Sequence, residues 1–104
     1  MVKHVILWEL KKEYSKEEKE KIKKDIKVSL EQLQGKIPGL LDINVFINGL
    51  DSSNADLMLD SSFESVEALK GYAVHPDHVK VADEKVRPFT NARFCLDFEN
   101  NWWI

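Results

Sequence analysis

Lys3-His4-Val5-Ile6-Leu7-Trp8-Glu9-Leu10-Lys11, residues 3–11, reads as the first β-strand and decides most of the fold. Successive side chains of a strand point to opposite faces. One face therefore carries His4, Ile6, Trp8 and Leu10, and the other carries Val5, Leu7 and Glu9. Both faces are largely apolar, so both must be covered by other parts of the protein. The stretch is a first indication that the sheet has a second partner.

An amphipathic helix follows this strand. Ser15 and Glu18 have the spacing of a capping box, in which each side chain accepts a hydrogen bond from the backbone of the other residue. Gly35 predicts the end of the helix, and Ile37-Pro38-Gly39 predicts a turn. Between these signals the apolar residues recur at helical spacing, at Ile22, Ile26, Leu30 and Leu33.

Two strands joined by a polar loop come next. Leu41 to Asn48 alternates in polarity, and the loop Gly49 to Asn54 separates it from a third strand, Ala55 to Ser61. The apolar face of the first of these strands is predicted to hold Leu41, Ile43, Val45 and Ile47. The pattern leaves open whether Val45 or Phe46 faces away from the helices.

A second helical region precedes the last strand. Ser62 is a candidate N-cap for a helix that carries Phe63, Val66, Leu69 and Tyr72. The junction His75-Pro76 breaks that helix, because a residue before proline is disfavoured in α conformation. Pro76 suits the first position of a short helix that runs to about Val86. Ala92 to Glu99 then alternates as the fourth strand.

The order β-α-β-β-α-β predicts an α+β protein of the ferredoxin-like, split βαβ plan, with residues 1–104 as a single domain. Its helices cover one face of a four-stranded antiparallel sheet. The opposite, open face of the sheet is covered most simply by packing against a second copy of the chain, which predicts a homodimeric α/β barrel. The C-terminal Asn100-Asn101-Trp102-Trp103-Ile104 tail is a further candidate dimer contact.

Composition excludes several classes of function. The formal net charge is −3, and the lysines concentrate on the first helix among glutamates, which is typical of a solvated face and argues against nucleic-acid binding. No apolar run is long enough to span a membrane, and the N-terminus lacks a signal-peptide pattern. The single cysteine, Cys95, favours a reducing, cytoplasmic setting and is predicted to be a buried structural thiol.

The segment Tyr72-Ala73-Val74-His75-Pro76-Asp77-His78 holds one tyrosine and two of the three histidines. Together with His4 on the first strand, Tyr72 and His78 are predicted to line a pocket for a polar small molecule. His78 has the chemistry of a general base, and Tyr72 that of a hydrogen-bond donor to an enolate oxygen. The alternatives are that Tyr72 and His78 only tie the helix break to the sheet, that His4 is a core histidine, and that His75 is a helix cap.

The sequence has part of a metal-binding motif and no cofactor-binding motif. His75 and His78 resemble half of a metal site, with oxygen ligands available from Asp77, Asp83 and Glu84. The start of the short helix is expected to splay the two histidines, so we predict no metal there. No phosphate-binding glycine loop, Cys-x-x-Cys pair or Ser/His/Asp order occurs, and we predict no cofactor.

The residues resemble the dimeric α/β-barrel (Dabb), or stress-responsive A/B barrel, family over essentially the whole chain. The resemblance is carried by residues 2–8, by Ile37-Pro38-Gly39-Leu40, by residues 63–69 leading into Tyr72–His78, and by residues 93–99. It implies a ferredoxin-like protomer that forms a barrel dimer. It also implies a pocket between sheet and helices, lined here by His4, Ile6, Trp8, Tyr72, His75 and His78.

Two functions follow from this resemblance. The first is a small-molecule binding or stress-associated module. The alternative is a cofactor-independent enzyme acting on a carbonyl substrate by aldol cyclisation or isomerisation, because a plant branch resembles polyketide cyclases with a His/Tyr pair, matched here by His78 and Tyr72. Trp8 departs from a roomy polyketide channel. Related ferredoxin-like barrels include cofactor-free monooxygenases, for which no residue here gives specific support.

Overall fold

The computed structural model describes residues 1–100, which form a four-stranded antiparallel sheet covered on one face by helices. The elements are β1 (Val2–Leu10), α1 (Lys16–Glu31), β2 (Leu40–Phe46), β3 (Leu57–Phe63), α2 (Val66–Val74), α3 (Pro76–Val81) and β4 (Thr90–Glu99). α3 continues into a π-helical segment, Ala82–Val86, and a 3-10 turn, Arg87–Phe89. This is the predicted ferredoxin-like α+β plan.

The strand order is β2-β3-β1-β4, so β1 lies inside the sheet and β4 forms one edge. Across β1, His4 is paired with Ser61 of β3 on one side and with Asp97 of β4 on the other. The Ser61 hydroxyl is buried and donates a hydrogen bond of 2.8 Å to the carbonyl oxygen of His4. The backbone that carries His4 is therefore held from both sides.

The hydrophobic core lies between the sheet and the helices. Every second residue of β1 points into it, as the alternation of residues 3–11 predicts. The largest fully buried apolar side chains come from several elements and include Leu10, Ile26, Leu30, Leu33, Leu59 and Phe63. The capping box of α1 is present: Ser15 Oγ accepts from the Glu18 N–H at 3.1 Å, and Glu18 Oε1 accepts from the Ser15 N–H at 2.9 Å.

Two predicted details of the strand pattern and helix capping are wrong, and both errors come from sheet contacts. A bulge after Leu40 shifts the register of β2, so that Leu40 is buried and Leu41 is exposed, although Ile43 and Val45 face the core as predicted. Ser62 does not cap α2, because β3 continues through Phe63 and the Ser62 hydroxyl accepts a hydrogen bond from Lys3 Nζ. Smaller differences in strand bounds are of one or two residues.

The N-cap of α2 is Ser65, whose hydroxyl accepts from the Ala68 N–H at 3.1 Å. Close packing of this helix start constrains Gly39 in the preceding turn. Gly39 has φ +79°, and a Cβ at this position would lie 2.5 Å from the Cβ of Ala68. Glycine is therefore required by both the backbone conformation and the space available.

The face of the sheet opposite the helices is apolar and open. Phe94 of β4 is 70% exposed, Leu96 64% and Phe46 of β2 54%. The alternative left open by the sequence is settled, since Phe46 lies on this face and Val45 in the core. The predicted contribution of the C-terminal tryptophans lies outside the described residues. Within residues 1–100 no helix combines the length and the apolar character needed to cross a bilayer.

Candidate functional site

A cavity of about 820 Å³ lies between the sheet and the helical segments α2 and α3. Its size falls within the range of small-molecule pockets. The apolar part of the wall includes Ile6, Trp8, Leu30, Leu59 and Val86. The polar part includes His4, Tyr72, His78, Arg93, Cys95 and Asp97. All the predicted pocket residues except His75 contribute to the wall.

Tyr72 is the central polar residue of the wall. It sits near the end of α2 with 1% of its surface exposed, and its ring packs against Phe63 with centroids 5.0 Å apart. Its hydroxyl is buried and has no hydrogen-bond partner among residues 1–100. Burial raises the pKa of the Tyr72 phenol, so the group stays protonated at neutral pH. A buried hydroxyl without a partner is unfavourable, by about 1–3 kcal/mol.

His78 lies over Tyr72, with ring centroids 4.0 Å apart and the planes tilted by 31°. Its Nδ1 is 3.4 Å from the carbonyl oxygen of Ala73, which favours the tautomer with the proton on Nδ1 and leaves Nε2 as the basic nitrogen. Burial lowers the pKa of the His78 imidazole, and the Ala73 carbonyl partly opposes this effect. The structure thus brings the ring of Tyr72, which carries a hydrogen-bond donor, into contact with the neutral imidazole of His78.

His4 reaches the same cavity from β1. Its ring lies 6.0 Å from that of Tyr72, and its Nδ1 is 2.5 Å from Asp97 Oδ1. His4 is therefore a buried histidine with a partner and also part of the cavity wall. Asp97 was not singled out in the sequence, and only the pairing of β1 with β4 reveals it.

Cys95 also lines the cavity, two residues before Asp97 on the same face of β4. The prediction of a buried structural thiol is wrong, because β4 is an edge strand that the helices do not cover, and Cys95 is exposed. Partial burial and the Asp97 carboxylate raise the pKa of the Cys95 thiol, while Arg93 lowers it.

His75 has a different role from the other two histidines. It ends α2 and begins α3, and its Nδ1 accepts a hydrogen bond of 3.2 Å from the Asp77 N–H. The π-helical segment that follows α3 supplies Ala82 and Val86 to the cavity wall. The helix break thus directs His78 and the next turn toward the sheet.

The comparisons with known proteins agree with this architecture. A dimeric protein of unknown function with a ferredoxin-like fold from Bacteroides fragilis is 31% identical, with 95% of each chain covered and a TM-score of 0.87. A Dabb family protein from Mesorhizobium loti is 19% identical, with 95% of each chain covered and a TM-score of 0.74.

A hydroxynitrile lyase from Passiflora edulis shares the fold at 19% identity, with 96% of this chain and 94% of that chain covered and a TM-score of 0.70. No curated protein matches the chain in sequence. The profile of the stress-responsive A/B barrel domain matches residues 2–100. Because this match spans nearly all of the chain, the protein belongs to the stress-responsive A/B barrel (Dabb) family.

Proposed function

We propose that the protein is a small-molecule binding module whose cavity takes a largely apolar ligand with one hydrogen-bond acceptor. The observation that carries the proposal is the buried hydroxyl of Tyr72, which lacks a partner among residues 1–100. A ligand carbonyl would accept its hydrogen bond, while the apolar wall around Ile6 and Leu59 would cover the rest of the ligand. Trp8 lines this space without filling it.

Titration with para-alkyl acetophenones tests this proposal. Affinity should rise with each added methylene, by about 0.8 kcal/mol, until the cavity is filled. Tyr72→Phe should weaken the binding of each ketone by about fivefold, the value of one neutral hydrogen bond of about 1 kcal/mol. Alkylbenzenes of the same length are the matched control, and their affinity should be unchanged. Absence of ketone binding, or an equal effect on both series, would reject the proposal.

The second candidate is an enzyme that abstracts a proton next to a carbonyl group. The contact between the His78 and Tyr72 rings supports it, together with Nε2 as the basic nitrogen of His78. In this reaction Nε2 takes the proton from the α-carbon, and the Tyr72 hydroxyl donates to the enolate oxygen that forms. Aldol cyclisation and isomerisation both begin with this step.

Exchange of the α-protons of acetophenone in deuterated water measures this step alone. The enzyme hypothesis predicts faster exchange with the protein than in buffer, and loss of the effect in His78→Asn. His75→Asn is the control, since asparagine retains an acceptor for the helix cap. An exchange rate equal to that in buffer would reject the enzyme hypothesis, and the binding-module hypothesis would remain.

We also propose that the protein forms a homodimer through the open sheet face. The exposure of Phe94 and Leu96 supports this arrangement, since a contiguous apolar face of this kind usually marks an interface. The dimeric state of the Bacteroides fragilis protein supports it independently. We propose separately that the protein is cytoplasmic, because its single cysteine is unpaired.

A further inference from the structure

Three side chains from the first and last strands converge at one edge of the cavity. His4 Nδ1 lies 3.7 Å from Cys95 Sγ, and Cys95 Sγ lies 3.3 Å from Asp97 Oδ1. The third separation, from His4 Nδ1 to Asp97 Oδ1, is 2.5 Å. The three donor atoms lie within 4.8 Å of one another. We name these residues, His4, Cys95 and Asp97, the strand-edge cluster.

The arrangement does not suit nucleophilic catalysis. In a catalytic triad the nucleophile and the carboxylate contact opposite nitrogens of the histidine, so that the ring passes a proton between them. Here Cys95 and Asp97 both approach Nδ1 of His4. Convergence of three donors on one point is the geometry of a metal ligand set.

The geometry points to a zinc-binding site formed by His4 Nδ1, Cys95 Sγ and an oxygen of Asp97. Zinc bonds of about 2.0 Å to nitrogen or oxygen and about 2.3 Å to sulfur, at tetrahedral angles, separate neighbouring donors by about 3.3–3.6 Å. The two separations that involve Cys95 are within about 0.1 Å of this range. The third separation, from His4 Nδ1 to Asp97 Oδ1, is shorter because these two atoms are within hydrogen-bond distance. A displacement of the Asp97 carboxylate by about 1 Å brings this separation into the range for zinc.

The surroundings permit that displacement while holding the other ligands. The Asp97 side chain is 46% exposed and can move, whereas that of His4 is only 9% exposed. The Ser61 hydroxyl fixes the backbone of His4, and the antiparallel register holds β4 opposite it. A site on paired strands requires little reorganisation when the ion binds.

The donor types select the metal. A thiolate with an imidazole and a carboxylate suits zinc, whereas magnesium and calcium prefer oxygen donors alone. The thiolate and carboxylate together bring two negative charges, and the positive charge of Arg93 lies close to Cys95. Three protein ligands leave the fourth zinc position for water or for a molecule in the cavity, since all three residues line it.

Titration of the metal-free protein with Zn²⁺ alone, followed by calorimetry, tests the site. We expect one ion per chain and a weaker affinity in Cys95→Ser and Asp97→Asn. Loss of an outer-shell partner already weakens metal binding by about 10- to 100-fold, so loss of a ligand should exceed about 100-fold. His75→Asn removes a histidine outside the strand-edge cluster and should bind zinc like the unmodified protein.

Cobalt provides a second readout that needs no variant. Co²⁺ in the site should show a thiolate-to-metal charge-transfer band and the intense visible bands of tetrahedral cobalt. Failure of the unmodified protein to bind Zn²⁺, equal affinity in Cys95→Ser, or a cobalt spectrum without the thiolate band would each overturn the proposal. None of these outcomes depends on whether the cavity binds ketones, because Zn²⁺ and Co²⁺ binding is measured with no ketone present.

Discussion

The imidazole of His78 lies on the phenol ring of Tyr72, with centroids 4.0 Å apart, at the point where α2 ends and α3 begins. The contact depends on the break at His75-Pro76, which turns the chain so that His78 returns over the preceding helix. The Tyr72 ring also packs against Phe63, and it is buried. A local backbone feature therefore brings His78 to the cavity wall beside Tyr72.

Tyr72→Phe should leave the ligand-free protein as stable as before, or more stable by up to about 3 kcal/mol. The reason is that the hydroxyl is buried without a partner among residues 1–100, so its removal takes away an unfavourable group. Urea unfolding measures the change in the free energy of unfolding. Tyr14→Phe is the control, expected to change stability by less than about 0.5 kcal/mol. A loss above about 1 kcal/mol for Tyr72→Phe would mean that the hydroxyl already has a partner.

His78 should titrate below its ordinary pKa of 6.5, because burial disfavours the charged ring. Between this lowered pKa and about 6.5 the unfolded chain binds more protons than the folded chain, so stability falls as the pH falls through that window. NMR titration of the His78 ring protons measures the pKa directly. Comparison of the stability of the protein and of His78→Asn at pH 7 and pH 5 isolates the contribution of this ring. Titration of His78 at or above 6.5 would contradict the description of its environment.

Phe94→Glu should dissociate the proposed homodimer. The substitution places a charge on the open sheet face, where Phe94 is 70% exposed in the single chain, so the protomer itself should fold. Sedimentation at micromolar concentration should show a dimer for the unmodified protein and a monomer for the variant. Val28→Glu is the matched control, because Val28 is 67% exposed on α1, away from that face. A monomeric unmodified protein would refute the barrel.

Gly39→Ala should destabilise the protein by about 1–3 kcal/mol, since the position has φ +79° and the new Cβ would lie 2.5 Å from that of Ala68. Gly71→Ala, in α2, should instead stabilise the protein. Nothing lies within 4 Å of a Cβ at Gly71, and alanine in a helix is favoured by about 1 kcal/mol over glycine. Thermal unfolding of the two variants should therefore shift in opposite directions. A tolerated Gly39→Ala would mean that the turn can adopt another conformation.

Local signals were sufficient to predict most of the fold. The alternation in residues 3–11, the capping box at Ser15 and Glu18, and the break before Pro76 each act within a few residues. Their structural consequences therefore follow from the sequence directly. The bulge at Leu40 and the true cap at Ser65 do not, because strand pairing with distant residues decides between neighbouring candidates of equal propensity.

The same distinction applies to the candidate site, since some of its residues could be predicted from the sequence and others could not. His4, Tyr72 and His78 could be proposed together because the family resemblance links the first strand to the helix break. Cys95 and Asp97 meet His4 only through the register of β1 with β4, which joins residues more than 90 positions apart. The edge position of β4 also explains why Cys95 is exposed, since an alternating strand pattern does not show which strand lacks a helix above it.

Intermolecular NOEs between a para-alkyl acetophenone and methyl-labelled protein test the central claim most directly, because they locate the ligand. The cavity predicts contacts from the alkyl group to the methyl groups of Ile6, Leu30 and Leu59, with the ketone end near the Tyr72 and His78 rings. Contacts confined to Leu7 and Leu96 on the open sheet face, or no contacts at ligand saturation, would contradict it.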